Sequence, residues 1–293
     1  MRERCDEPRV TIKNDCDQWV RLRQSIINFN YQRFDMLPSL SSQMIELAHQ
    51  LADASAEVIR GYFRRKLIVD DKADASPVTI ADRAAEQVMR ELILQRFPTH
   101  GIYGEEMGVI ASDAEFVWVL DPIDGTKSFI TGKATFGTLI ALLHHGQPVL
   151  GVINQPILQE RWMGGTGLPA TFNGETVTVR PCDELRHALL YATSPEMFHG
   201  ADKVAFERVQ GATKHTLYGA DCYAYALLSM GFVDLVIEAS LSPYDYCALV
   251  PVIDSAGGML TDWAGQPLGL HSDGRVIAAG DRRVYEQARH WLL

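Results

Sequence analysis

The spacing of hydrophobic positions changes along this chain, and the changes mark out its elements. From about residue 40 to 65, Leu47, Leu51, Val58 and Tyr62, with Ile59 and Phe63 beside them, recur at helical spacing. The polar stretch Asp70-Asp71-Lys72-Ala73-Asp74-Ala75-Ser76-Pro77 separates this helix from a second, predicted over about 80–96 with Ala84, Val88, Leu92 and Ile93 on one face. The period then shortens. Phe116-Val117-Trp118-Val119-Leu120 is a continuous apolar run rich in β-formers and predicts a buried strand. Thr138 to Leu143 and Val149 to Asn154 predict two more, joined by His144-His145-Gly146-Gln147-Pro148, and strand-like pieces with glycine-rich turns continue to about Arg180. Beyond 181, strands near 188–193, 233–238 and 276–279 alternate with helices at 202–210, 222–230, 245–257 and 282–292. This pattern predicts two α/β halves, 36–180 and 181–293. Residues 1–35 are polar, mixed in charge and weakly periodic, and are read as a disordered N-terminal extension ahead of a better domain start at Met36.

Composition narrows the class. The 293 residues are 47% hydrophobic and 22% charged, which excludes disordered and fibrous chains. There are 27 Lys+Arg against 37 Asp+Glu, a net charge of −10, so neutralising a nucleic-acid backbone is not expected. The acidic surplus has two readings: ordinary solubility, or carboxylates gathered to hold cations. The five cysteines (Cys5, Cys16, Cys182, Cys222, Cys247) are scattered and form no CxxC pair, so neither a zinc site nor a disulfide framework is expected. Cys222 and Cys247 fall in helices and read as small buried hydrophobes. With no apolar core in the first residues and no run of about 20 apolar residues, a cytoplasmic protein without a membrane partner is expected.

The candidate chemistry lies at the end of the first predicted strand. Leu120-Asp121-Pro122-Ile123-Asp124-Gly125-Thr126 places two carboxylates three positions apart where open α/β sheets commonly bind ligands, with Gly125 permitting close approach to the backbone. A polar turn after a strand is the plainer alternative. Gly104-Glu105-Glu106 adds two carboxylates that are either a solvated loop or, with the aspartates, part of a hard-cation site suited to Mg²⁺. Asp82, in Thr79-Ile80-Ala81-Asp82, reads equally as a helix cap, and Asp245 as an acidic residue opening a helix.

These stretches, together with Pro77-Val78-Thr79, Tyr244-Asp245 and Ala256-Gly257-Gly258, resemble the inositol monophosphatase superfamily of Mg²⁺-dependent, lithium-sensitive phosphatases across about residues 40–290. The resemblance implies a layered αβαβα sandwich of the mixed α+β type, with 36–180 the metal-binding and 181–293 the substrate domain, and a homodimer. It implies that Glu105, Asp121 and the Ile123 carbonyl hold one metal, and Asp121, Asp124 and Asp245 a second, with Glu105 also near a third. It further implies that Gly125 and Thr126 receive the phosphate through their amides, and that Asp82 with Thr126 polarises the attacking water. In-line displacement between paired metals and anion binding by helix N-terminal amides agree with those roles. A silent relative would be expected to have lost one of these groups, and all are present.

Within the superfamily, Lys127-Ser128-Phe129-Ile130-Thr131-Gly132, Gly137-Thr138-Leu139-Ile140-Ala141-Leu142, Asp221-Cys222-Tyr223-Ala224-Tyr225-Ala226 and Leu241-Ser242-Pro243-Tyr244-Asp245 resemble the histidinol-phosphatase branch. Substrate contacts are implied for Gly219, Asp221 and Glu238, two carboxylates that suit a cationic leaving group such as L-histidinol better than a neutral polyol. Asp221 also reads as the N-cap of the helix over 222–230. Ser242 departs from the basic residue common in that branch, and an inositol or sugar phosphate is the alternative substrate. Two remaining motifs are set aside. Gly165-Thr166-Gly167-Leu168-Pro169-Ala170 opens no helix and is no dinucleotide site, and His144-His145 shows no acidic residue at metal-ligand spacing and reads as a solvated turn.

Overall fold

A computed structural model describes residues 40–65, 69–71 and 77–293; the expectations for residues 1–35 and Met36 lie outside the described residues. Helix α1 (Ser42–Tyr62) is capped by Ser41, whose hydroxyl accepts from the Met44 amide at 3.2 Å, and it buries Leu47, Leu51 and Ile59. Strands β1 (Val69–Asp71) and β2 (Pro77–Thr79) form an antiparallel ribbon that leads into α2 (Ile80–Arg96). The buried face of α2 is rotated from the expected one. Ala81, Ala85, Met89 and Ile93 are buried together with Asp82, Glu86 and Arg90, whereas Ala84, Val88 and Leu92 are half-buried. Hydrophobicity misplaced the face because three charged residues point inward to fixed partners.

The chain then builds β3 (Gly101–Gly104), β4 (Gly108–Ile110), β5 (Phe116–Asp124), the short α3 (Thr126–Ile130), β6 (Gly137–His144), β7 (Gln147–Gln155), β8 (Glu160–Gly165), β9 (Leu168–Phe172) and β10 (Glu175–Thr176). They form one eight-stranded sheet in the order β10-β9-β8-β7-β6-β5-β3-β4, antiparallel except for β3 beside β5. Val117, Val119, Leu139 and Ala141 enter the central core, while Trp118, Leu120, Ile140 and Leu142 are buried on the opposite face. Burial of both faces explains why these strands read as unbroken apolar runs and not as alternating ones.

A second sheet follows from β11 (Leu189–Ala192), α4 (Gly200–Ala212), β12 (His215–Tyr218), α5 (Tyr223–Ser229), β13 (Leu235–Glu238), α6 (Pro243–Tyr246), α7 (Leu249–Ser255), β14 (Met259–Asp262), β15 (Val276–Ala279) and α8 (Arg282–Leu292). Its order is β12-β11-β13-β15-β14, with β11 parallel to both neighbours and the remaining pairs antiparallel. Helices α1 and α2 pack on the large sheet, α5 to α7 lie between the sheets, and α4 with α8 cover the far face of the second. The layers are thus αβαβα. The helix expected over 245–257 is instead two, interrupted at Cys247-Ala248. Pro251 is the cause: it has no amide to donate to the carbonyl four residues back, at Cys247. Among the described residues no helix is long and apolar enough to cross a membrane.

The last helix is fastened by Asp281. Its carboxylate caps α8 at the Arg283 amide (2.8 Å) and accepts from the Cys182 amide (3.0 Å). The Arg283 side chain holds this carboxyl down at about 2. A depressed carboxylate pKa stabilises the fold above its ordinary value near 3.8, and that contribution is lost as pH falls towards 2. Asp281→Ala is expected to cost about 1 kcal/mol at neutral pH, read from urea midpoints, with the gap from the unaltered protein closing as pH falls from about 4 to 2.

Candidate active site

The site is built on an irregularity in β5. Asp121 lies opposite Leu139 and Asp124 opposite Gly137, so three residue steps on β5 match two on β6. Residues three apart on a regular strand face opposite ways; the extra residue at Pro122-Ile123 turns Asp124 to the same side as Asp121. The bulge is held by Thr138 Oγ1 donating to the Pro122 carbonyl (2.8 Å) and by the Ile123 amide donating to Asp121 Oδ1 (3.0 Å). Thr126 Oγ1 donates to the Ile123 carbonyl at 3.2 Å. That oxygen, implied to be a metal ligand, keeps a second lone pair.

Two further aspartates arrive on helix N-termini in the same way. Thr79 and Asp82 form a capping box on α2, and Ser242 and Asp245 form one on α6. Asp82 Oδ2 accepts from the Thr79 amide (2.9 Å) and hydroxyl (2.6 Å), while its Oδ1 is buried with no hydrogen-bond partner. Asp245 Oδ2 accepts from the Ser242 amide at 2.7 Å. Capping and site placement therefore coincide at both residues. Glu105, in the turn after β3, lies within hydrogen-bonding reach of Asp121.

That turn has a support that sequence reasoning missed. Glu86, fully buried, accepts from the amides of Glu106 (2.7 Å) and Met107 (3.1 Å) and pairs with Arg90 at 2.8 Å. Arg90 donates in turn to the Gly108 carbonyl. Gly104 is obligatory here, since a Cβ would fall 2.0 Å from Glu86 Oε1. The inward position of Glu86, four residues after Asp82 on one helix face, was the available signal.

On the other side, Gly125 (φ +86°) is the N-cap of α3, and the first intrahelical bond runs from Phe129 N to its carbonyl, so the amides of Gly125 and Thr126 precede the helical ladder. A side chain at Gly125 would meet the Asp221 carboxylate, 2.6 Å away. Asp221 does not cap α5, where Cys222 is the cap. With φ +49° it turns Oδ2 to Ser128 Oγ (2.5 Å) and Thr135 Oγ1 (3.5 Å); burial raises its carboxyl above the usual range, and the Ser128 hydroxyl, Lys133, Thr135 and Lys127 oppose that rise in part. Lys133 also donates to the Gly219 carbonyl. The Cys222 amide donates to Asp124 Oδ2 at 2.6 Å, joining α5 to the bulge. Glu238, 4% exposed, accepts from the Thr193 amide (2.8 Å) and from the Tyr225 hydroxyl (2.9 Å), so both its oxygens are engaged. Ser128, Thr135 and Lys133 are site neighbours that spacing alone did not bring out. A separate cavity of about 720 Å³, lined by His49, Asp53, Arg60, Asn154 and Arg161 among others, includes none of the clustered carboxylates.

The charges decide what the cleft can hold. One oxygen from each of Asp121, Asp124 and Asp245 lies within 4.8 Å of the others. Burial, then the neighbouring carboxylates, push Asp121 and Asp124 well above the usual carboxylate range. Burial also raises Asp82. Oxygen-only donors, a concentration of like charge and the unpartnered Asp82 Oδ1 together fit a hard divalent cation with water in its shell.

Comparison with known proteins agrees. Residues 40–291 match the inositol monophosphatase family. The chain belongs to that family. It is 54% identical over 251 residues to the chloroplastic bifunctional phosphatase IMPL2 of Arabidopsis thaliana, covering 83% of this chain and 72% of that one. It is 35% identical over 243 residues to a histidinol-phosphatase of Chlorobaculum parvum, covering 80% and 91%. Among solved structures, an inositol monophosphatase from Zymomonas mobilis matches with a TM-score of 0.81 at 51% identity, over 87% of this chain and 99% of that one. This member of the inositol monophosphatase family is therefore a phosphatase of the αβαβα type, a family that uses Mg²⁺, and its clustered aspartates can hold a metal ion.

Two outcomes follow from the geometry. Replacing Asp121 or Asp124 with Asn relieves buried repulsion, so the metal-free variants are expected to melt at or above the unaltered protein, and the rise in Tm on adding Mg²⁺ is expected to shrink or vanish. Differential scanning calorimetry with EDTA and with Mg²⁺ checks this. Glu86→Gln gives the turn an amide donor where it needs an acceptor. The Mg²⁺ concentration for half-maximal activity is expected to rise several-fold while circular dichroism is unchanged.

Proposed function

We propose that the protein hydrolyses a small phosphate monoester with Mg²⁺ in the carboxylate cleft, and that its preferred substrate is L-histidinol phosphate. The reaction reading rests on one observation: Asp121, Asp124 and Asp245 converge, and Glu105, which reaches Asp121, also acts on a buried Asp82 whose Oδ1 has no partner. Glu105, Asp121, the Ile123 carbonyl, Asp124 and Asp245 would hold Mg²⁺. When bound, it would neutralise phosphate oxygens and lower the pKa of water in its shell.

The chain's own groups complete the arrangement. The amides of Gly125 and Thr126, ahead of the α3 ladder, receive phosphate oxygens. Asp82 Oδ1 is the acceptor for a proton of the attacking water, and Thr79 holds the other oxygen so that Oδ1 faces the cleft. Thr126 Oγ1 orients the same water from the loop. Glu86 keeps the Glu105 turn in place from behind.

For the leaving group, Asp221 carries the preference. Its carboxylate is seated against Gly125 at the edge of the phosphate loop, where an ammonium or imidazolium on the alcohol would meet a negative charge. Glu238, whose two oxygens accept from Thr193 and Tyr225 while burial raises its carboxyl, is the second carboxyl of this reading and lies behind Tyr225. Relatives named histidinol-phosphatase at 33–36% identity support the same reading. Inositol phosphate is the second reading, favoured by the Zymomonas mobilis structure at 51% identity.

Steady-state kcat/KM on the two esters separates these readings. Histidinol phosphate is expected to be the better substrate, and a large margin for inositol phosphate would overturn the assignment. Asp221→Ala is expected to lower kcat/KM for histidinol phosphate by roughly 30-fold or more, with a much smaller loss on an uncharged aryl phosphate. Equal losses on both would assign Asp221 to loop support alone.

A further inference from the structure

Away from the clustered aspartates, a second set of metal-ligating side chains meets at the opposite end of β5. Pairing of β5 with β6 puts Phe116 opposite His144, and this carries Glu115 to the β6–β7 turn. The His145 amide donates to the Glu115 carbonyl at 2.9 Å. His145 does lie in an exposed turn, but the acidic residue that sequence spacing did not offer His144-His145 comes across the sheet. One ligand atom from each of Glu115, His144 and His145 lies within 4.8 Å of the other two.

The arrangement is partly set in advance. His144 Nε2 stands 3.3 Å from Glu115 Oε1, its side chain is 11% exposed, and its ring packs on Phe116 with centroids 4.8 Å apart. The His145 ring lies 4.2 Å from that of His144. Its backbone is fixed by a two-residue turn in which His145 (φ +48°) and Gly146 (φ +76°) are both left-handed. Glu115 and His145 are open to solvent, so an ion has a path in.

We propose that Glu115, His144 and His145 form a second metal site, selective for a borderline divalent ion of the zinc type. Two imidazoles and one carboxylate match the donor preference of Zn²⁺, and three protein ligands leave a fourth position for water. The all-oxygen cleft has the opposite preference. A cluster of similar composition, Asp183, Glu184 and His187, offers a single imidazole, and its Glu184 is paired with Arg186 at 2.8 Å. No Lys or Arg pairs with Glu115 among the described residues. Five residue steps along β5 separate Phe116 from Asp121, roughly 17 Å at about 3.3 Å per step. An ion here ties the start of β5 to the β6–β7 turn and raises stability without taking part in hydrolysis.

The test is calorimetric titration of the full chain with Zn²⁺, and absorption titration with Co²⁺, both with Mg²⁺ in excess. The variants are His144→Gln, Glu115→Gln and His145→Asn, the last keeping an Asn-Gly turn of the same type. Each is expected to weaken one binding equivalent at least 10-fold, with circular dichroism and Mg²⁺-supported activity unchanged. A variant with Asp121 and Asp124 both changed to Asn is expected to keep that equivalent. Titrations of the three variants that superimpose on the unaltered protein, or binding there only at millimolar Zn²⁺, would overturn the proposal.

Discussion

Three carboxylates held within 4.8 Å of one another in a buried cleft repel strongly, and much of the surrounding structure serves to keep Asp121, Asp124 and Asp245 in place. At that separation and an effective dielectric of about 20, each ionised pair costs about 3 to 4 kcal/mol. A helix cap returns about 1 kcal/mol and an ordinary hydrogen bond about as much. Local bonding therefore cannot offset the repulsion. Protonation relieves it in the metal-free protein, which is the direction in which Asp121 and Asp124 are pushed. A divalent cation relieves it while leaving the oxygens as ligands. The cleft is thus stable in proportion to what it binds.

Holding such a cluster requires backbone geometry that each element supplies locally. The bulge at Pro122-Ile123 turns two strand residues the same way. The capping boxes at Thr79/Asp82 and Ser242/Asp245 each tie one carboxylate oxygen to a cap amide. Buried Glu86 fixes the turn that carries Glu105 through two amides, with Arg90 neutralising it. Asp82 and Asp245 are thereby placed by bonds within their own helix ends, whereas the bulge and the Glu105 turn are held across elements by Thr138, Cys222 and Glu86. Metal-site carboxylates placed this way pay little conformational entropy on binding.

Local patterns in the sequence carried the helices, the buried strands and the identity of the aspartates, because helical period, apolar runs and the Asp121–Thr126 motif are short-range signals. Long-range register was not legible. Nothing near Asp121 says that Pro122-Ile123 holds one residue more than its partner strand. Nothing near His144 says that Glu115, 29 positions earlier, will lie beside it. The buried face of α2 was misjudged for a related reason: Asp82, Glu86 and Arg90 are hydrophilic by composition but inward by partnership. At Pro251 the local rule was available, and it accounts for the break that divides α6 from α7.

On the proposed reading, substrate choice rests on different residues from the reaction. Glu105, Asp121, Asp124 and Asp82 belong to the first sheet, its turns and the helix packed on it, whereas Asp221 enters from the segment before α5 and meets Ser128 of α3 and Thr135 ahead of β6. Overall identity is a poor guide to such a residue. A bifunctional phosphatase at 54% and an inositol monophosphatase at 51% stand almost equally near this chain. A few side chains around one cleft edge contribute almost nothing to those percentages, yet a single charge facing the alcohol changes relative affinity by orders of magnitude. Lys133 sharpens the point, because burial raises the Asp221 carboxyl while the Lys133 ammonium, which also sits on the Gly219 carbonyl, favours the ionised form. On that reading a cationic leaving group would share the carboxylate with a neighbouring ammonium, and the balance between the two would set how strongly the cleft prefers a charged alcohol over a neutral one.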